Sequence, residues 1–94
     1  MYYVYILRSV PNPNQTYIGS TDNLRRRLAE HNSGKSIHTN KFKPWNLMAH
    51  VALPDRTLAG NLEHYLKTGS GRAFAKRHLQ DWPSPRPLGL LMDS

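Results

Sequence analysis

The first ten residues, MYYVYILRSV, constrain this chain more than any other stretch. They are apolar almost without a break and rich in Tyr, Val and Ile, which suits a strand covered on both faces. PNPNQ follows, Pro11 to Gln15, and two prolines with two asparagines cannot continue a ladder. Thr16 to Ser20, TYIGS, then resumes strand character. The short connection between the two runs predicts an antiparallel hairpin.

After the hairpin the pattern turns helical. Thr21 or Asp22 is placed to cap a helix whose body is NLRRRLAEHN, closed by Gly34. KSIHTNKFKP has no clear period and carries three lysines, so it reads as an exposed basic loop. Leu47 to Leu53 is a third strand, Pro54-Asp55 a turn, and Thr57 to Lys67 a second amphipathic helix. TGSG breaks that helix, and RAFAKRHLQDW forms a third helix or a continuation. The order β-β-α-β-α-α predicts an α+β fold, a three-stranded antiparallel sheet flanked by helices. At 94 residues the chain is one domain. It is expected to span residues 1–82, with a proline-bearing tail at 83–94 that is mobile or a packing arm.

Bulk composition narrows the function classes. With no cysteine, disulfides and thiolate zinc sites are excluded. No apolar run approaches the roughly 20 residues of a membrane helix. MYYVYIL is too short for a signal peptide, so a cytoplasmic location without membrane contact is expected. Thirteen basic against six acidic residues give a formal charge of +7, which points to nucleic acid or another anionic surface.

Several polar residues fall on faces that should be apolar. On the first helix, Leu24, Leu28, His31 and Arg27 share one arc about 100° wide, while Arg25, Arg26 and Glu30 lie outside it. A guanidinium bordering the sheet needs a partner. An internal ion pair is one solution; with only six acids in the chain, an external phosphate gripped bidentately is the better one. On the second helix Leu58, Ala59, Leu62, Tyr65 and Leu66 form the apolar arc, and Glu63 sits at its edge. Glu63 with Lys67 at i+4 makes a plain surface pair, yet a lone carboxylate is also how proteins hold Mg²⁺ against a phosphate. Strand parity puts Tyr3, Tyr5 and Leu7 on one face, and Tyr17 and Gly19 on one face of the second strand. Tyr5 and Tyr17 can then lie side by side, with Gly19 leaving the sheet bare beside them.

For gripping a nucleic-acid chain, Lys35, His38, Lys41 and Lys43 place charge in the loop near Trp45, a core residue or a stacking surface. Arg72, Lys76 and Arg77 extend a basic track. Gly69, Ser70 and Gly71 form a helix–helix turn or offer N–H groups to a phosphate. His50 and His64 read as surface or strand residues, and His78 as packed with Phe74, Ala75 and Trp82.

VYI at Val4–Ile6, YIG at Tyr17–Gly19 and DNLRRRLAEH after it resemble the GIY-YIG endonuclease superfamily. HNSGK and AGNLEHYLK are similar to the small stand-alone bacterial members, and the resemblance runs from about Tyr2 to Leu79. It implies that Tyr5 and Tyr17 are paired catalytic tyrosines, Arg27 a phosphate-binding arginine and His31 an active-site histidine. Glu63 is then the ligand of a divalent metal, Mg²⁺ or Mn²⁺. The chain departs from the pattern at Val4, in place of the first glycine, and at Ser20, where some relatives carry a lysine. GSGRAFAKRHL (Gly69–Leu79) looks like a subgroup signature. The implied activity is metal-dependent hydrolysis of DNA phosphodiester bonds, expected on single-stranded or flapped DNA, in processing or repair. The rival readings are a non-catalytic nucleic-acid-binding module and a recruiting domain acting through the tail. Tyrosine is an awkward base, since at a pKa near 10 roughly one phenol in a thousand is ionised at pH 7. His31, with an ordinary pKa near 6.5, is the competing candidate.

Overall fold

In the computed structural model, which describes residues 1–80, the first strand β1 (Tyr2–Ser9) is the middle strand of the sheet. It pairs antiparallel with β2 (Thr16–Thr21) on one side and β3 (Trp45–Leu53) on the other. Helices α1 (Leu24–Ser33), α2 (Arg56–Leu66) and α3 (Gly69–Ala75) complete the α+β order, with a 3₁₀ turn at Asn40–Phe42 and a π-helical turn at Lys76–Gln80. The proline-bearing tail and Trp82 lie outside the described residues. Among the described residues no helix is long and apolar enough to cross a membrane.

The apolar run does what its composition demands. Val4, Tyr5, Ile6 and Leu7 are all at most 2% exposed, and alternate residues feed two separate cores. Val4 and Ile6 pack with Ala59, Leu66 and Ala75 beneath α2 and α3. Tyr5 and Leu7 pack with Trp45 and, from α1, Leu24 and Leu28. One strand thus serves both layers.

The boundaries shift for local reasons. β3 begins at Trp45, two residues before the expected Leu47, because Ser9 pairs with Trp45. A bulge between Ile6 and Leu7, opposite Ala49 and Leu47, absorbs the extra residue. The cap of α1 is Asn23 rather than Thr21 or Asp22: its Oδ1 accepts from the Arg26 N–H at 3.0 Å. Thr21 instead accepts from the Asn23 N–H. Gly34 closes α1 as expected, at φ 85°, with the Lys35 N–H bonded back to the Glu30 carbonyl at 3.1 Å. Asp55 caps α2, accepting from the Leu58 N–H at 2.8 Å. The buried arc of α2 is Ala59, Leu62 and Leu66, whereas Leu58 and Tyr65 are 46% and 42% exposed.

TGSG does break α2, but its glycines belong to the next helix. Thr68 caps α3 and accepts from the Gly71 N–H at 3.1 Å, so Gly69 to Gly71 form the first turn and not an open phosphate loop. Gly71 is buried, and a Cβ there would overlap the Tyr65 carbonyl oxygen. Glycine at 71 lets α3 press onto the end of α2, which gives the subgroup-like signature a packing role.

The stretch read as an exposed basic loop is only half that. Lys35, His38, Lys41 and Lys43 are exposed, but Ser36 and Thr39 are buried. Trp45 Nε1 donates to the Thr39 carbonyl at 2.9 Å, and Ser9 Oγ donates to the Phe42 carbonyl at 2.6 Å. Polar side chains strap the loop down over the α1 face.

Candidate active site

Register brings the tyrosines together. Tyr5 stands opposite Gly19, and Tyr17 opposite Leu7, so the two phenols are diagonal neighbours with ring centroids 6.2 Å apart. A Cβ on residue 19 would lie 2.6 Å from the Tyr5 hydroxyl and 3.0 Å from the Tyr17 ring. The bare glycine is what lets the Tyr5 ring lie across β2.

His31, from the inward face of α1, meets both rings at 5.8 and 4.9 Å. Its Nε2 is 2.9 Å from the Tyr5 hydroxyl and its Nδ1 is 2.7 Å from Thr39 Oγ1. Arg27 reaches the hydroxyls of both Tyr5 and Tyr17. A guanidinium only donates, so the Tyr5 oxygen accepts from Arg27. His31 bridges Tyr5 and Thr39 through its two ring nitrogens. Burial, reinforced by the Arg27 charge, holds its pKa below the usual value.

Burial likewise pushes the Tyr5 phenol up to about 12, although hydrogen bonding from Arg27 works the other way. At 1% and 0% exposure, Tyr5 and His31 are closed to solvent. Tyr17 is half-buried and lines a cleft of about 400 Å³ with Lys67, Arg72 and Lys76. A second cleft, of about 450 Å³, opens at the other end of β2 between Ser20, Arg26, Arg27 and Arg56. The outer rim of β2 therefore carries cationic side chains at both ends.

Arg27 also has the internal partner that acid scarcity argued against. Glu30, one turn on, accepts from it at 2.9 Å. That bond is the main reason the guanidinium is held firmly protonated and the Glu30 carboxyl stays below its ordinary range. Both side chains remain about one-third exposed, so the pair is a rim contact that leaves the guanidinium accessible.

Glu63 projects from α2 to the same rim. Its Oε1 accepts from Ser20 Oγ and its Oε2 from Lys67 Nζ, both at 2.7 Å. Desolvation opposes ionisation, but these two donors outweigh it and lower the carboxyl's pKa. Ser20 thus ties β2 to the acid. Among the described residues no three His, Cys, Asp or Glu side chains gather to hold a metal. A cation at Glu63 would take one protein carboxylate and complete its shell with water and phosphate oxygens. That donor set fits a hard divalent ion and not zinc.

The structure brings Tyr5, Tyr17, Arg27 and His31 into one cluster, with Glu63 close enough for its charge to act on Tyr5. Arg72 and Lys76 line the Tyr17 cleft, whereas Lys35, His38, Lys41 and Lys43 line neither cleft. Trp45 is a core residue, 4% exposed, and no stacking platform. His50, His64 and His78 are all exposed; the His78 ring lies 4.8 Å from that of Phe74, tilted by 47°, on the surface and not in the packed position expected of it. Thr39 was missed: nothing in KSIHTNKFKP marks it as the anchor of His31. Arg26 and Arg56 were missed as well, because the second cleft exists only once β2 and α2 are packed.

Residues 1–77 match the GIY-YIG catalytic domain. The structure-specific endonuclease subunit SLX1 of Candida dubliniensis is 39% identical over 87 residues, covering 85% of this chain and 29% of that protein. Its counterpart from Malassezia globosa is 44% identical over 84 residues, covering 85% and 18%. The chain spans less than a third of the length of these relatives. Among solved structures, the UPF0213 protein BH0048 from Bacillus halodurans is 33% identical, with a TM-score of 0.49 over 82% of each chain. The chain belongs to the GIY-YIG family.

Proposed function

We propose that this chain is the catalytic domain of a metal-dependent endonuclease that hydrolyses DNA phosphodiester bonds, acting on single-stranded or branched DNA in processing or repair. The observation that carries this reading is the phenol–guanidinium cluster at the open rim of β2, with Glu63 beside it. The location that suits it is the cytoplasm.

In this reading the two tyrosines have different tasks. Tyr5, with its pKa near 12, would be ionised in roughly one molecule in 10⁵ at pH 7, and its hydroxyl is buried against His31. Tyr17 is the phenol that a water in the cleft can reach. Tyr17 as phenolate takes a proton from the attacking water, whose oxygen bonds to phosphorus. The bond to the 3′ oxygen breaks, and that oxygen leaves with the electron pair. Arg27 holds a non-bridging oxygen and stabilises the negative charge that builds on the phosphate. Tyr5, His31 and Thr39 form the rigid backing that fixes Arg27 and the Tyr17 ring. Glu63 would hold the divalent cation, Mg²⁺ or Mn²⁺, which would supply Lewis-acid stabilisation of the departing oxygen. Lys67, Arg72 and Lys76 hold the backbone on the Tyr17 side.

Such a shallow rim suits a flexible strand better than a stiff duplex, and the SLX1 relatives are named as structure-specific endonuclease subunits. The test is cleavage of labelled single-stranded, duplex and branched DNA with Mg²⁺, by wild type, Tyr17→Phe and Tyr5→Phe. Tyr17→Phe is expected to lose about 100-fold or more in rate and to lose the wild-type pH dependence. Tyr5→Phe should slow the reaction but keep that dependence, and EDTA should stop it. Full activity of Tyr17→Phe would remove the proposed base, and a preference for plain duplex would remove the substrate assignment.

A further inference from the structure

Lys67 stands where the acid and the cleft meet. Its ammonium donates to Glu63 Oε2 at 2.7 Å, while Ser20 Oγ holds Oε1 at the same distance. The lysine side chain is 50% exposed, and it also forms part of the wall of the cleft shared with Tyr17, Arg72 and Lys76. As the C-cap of α2 it sits where the helix dipole favours a cation. The acid's two oxygens thus have unlike partners, one neutral hydroxyl and one full positive charge.

A divalent cation treats those partners differently. The Ser20 hydroxyl can turn its proton away and present a lone pair, whereas a protonated lysine has none to present. Two positive charges in contact with one carboxylate oxygen repel each other, so an arriving ion expels Lys67 and tolerates Ser20. The expelled side chain has a four-carbon stem already rooted at the cleft wall. Exposed ion pairs of this type hold weakly.

We propose that Lys67 is a resident stand-in for the cation at Glu63, and that an arriving divalent ion displaces its ammonium into the cleft. There it joins Arg72 and Lys76 on a backbone phosphate next to the one at Tyr17. This rests on the reading of Glu63 as the acid that holds the metal. Before the ion binds, Glu63 and Lys67 cancel; afterwards the cleft gains a free positive charge. Metal and nucleic acid then strengthen each other's binding, and the coupling runs equally in both directions.

The experiment uses the full 94-residue chain. Mn²⁺ is titrated calorimetrically, without DNA, into wild type, Lys67→Met, Lys67→Arg and Glu63→Gln. Lys67→Met is expected to bind Mn²⁺ about two- to fivefold more tightly than wild type, the range an exposed ion pair accounts for. Lys67→Arg should stay near wild type, and Glu63→Gln should lose binding. If Lys67→Met binds no more tightly while Glu63→Gln still fails, the stand-in is overturned and Glu63 remains the ligand. If Glu63→Gln binds as well as wild type, both ideas fall. A second arm measures affinity for a single-stranded oligonucleotide with and without Mn²⁺, in a Tyr17→Phe background that keeps the strand intact. The gain on adding Mn²⁺ should be several-fold smaller when Lys67 is methionine. An equal gain overturns the transfer into the cleft.

Discussion

The two faces of the sheet are built from the same three strands and are packed in opposite styles. Beneath α2 and α3 the contacts are Val4, Ile6, Ala59, Leu66 and Ala75, all apolar. Beneath α1 the buried set includes Tyr5, His31 and Thr39, joined by hydrogen bonds of 2.9 and 2.7 Å. An apolar layer needs only shape, and it tolerates small adjustments. A buried polar chain must satisfy every donor and acceptor, so it fixes orientation as well as position. The difference shows where stability and chemistry are kept. One face holds the sheet together; the other aims Arg27 and Tyr17 at the rim.

The sharpest way to break this division is to strike each face separately. Arg27→Ala should reduce cleavage by about 10²–10³-fold, the loss typical of an electrostatic stabiliser of the reacting group. Its ion pair with Glu30 is partly exposed, so the denaturation midpoint should barely move. A large fall in stability would show that Arg27 holds the fold together. Leu66→Ala is the mirror experiment. It removes a side chain 1% exposed and should cost about 2–5 kcal/mol in denaturant unfolding, while cleavage per folded molecule stays near wild type. A catalytic defect in the folded fraction would mean the two faces are coupled.

The smallest expected effect sharpens the polar side. His31 has its pKa lowered by burial, so the fold prefers the neutral ring. The unfolded chain takes up that proton below about pH 6.5. The contribution of His31 is therefore complete above that pH and is lost as pH falls below it. Denaturation midpoints at pH 7.5 and 5.5 should differ more in wild type than in His31→Gln. Equal differences would mean that His31 is not the group responsible.

Much of this arrangement was legible from the residues, and the reasons differ by element. The unbroken run at Tyr2–Leu7 announced a strand covered on both faces because solvent on either face would have imposed alternation. Parity placed Tyr5 near Tyr17, and the 3.6-residue repeat placed Arg27 beside His31, since both periods are fixed by backbone geometry. Contacts between distant segments carry no such period. Thr39 under His31, Ser20 on Glu63 and Arg56 near Arg27 depend on how a loop and two helices dock. The Arg27–Glu30 pair was misjudged from chain-wide acid scarcity, when one acid a turn away was enough. Leu58 and Tyr65 looked like core because apolar spacing on α2 is wider than the stripe α2 buries.

Among the described residues β2 pairs only with β1, and the outer backbone groups of such an edge strand can pair with an extended chain, including β2 of another copy. The lysines and arginines gathered along that border repel such a copy as firmly as they attract a polyanion. Concentrated salt weakens both effects at once, so conditions chosen to strip bound DNA during purification also remove the guard against sheet-to-sheet aggregation.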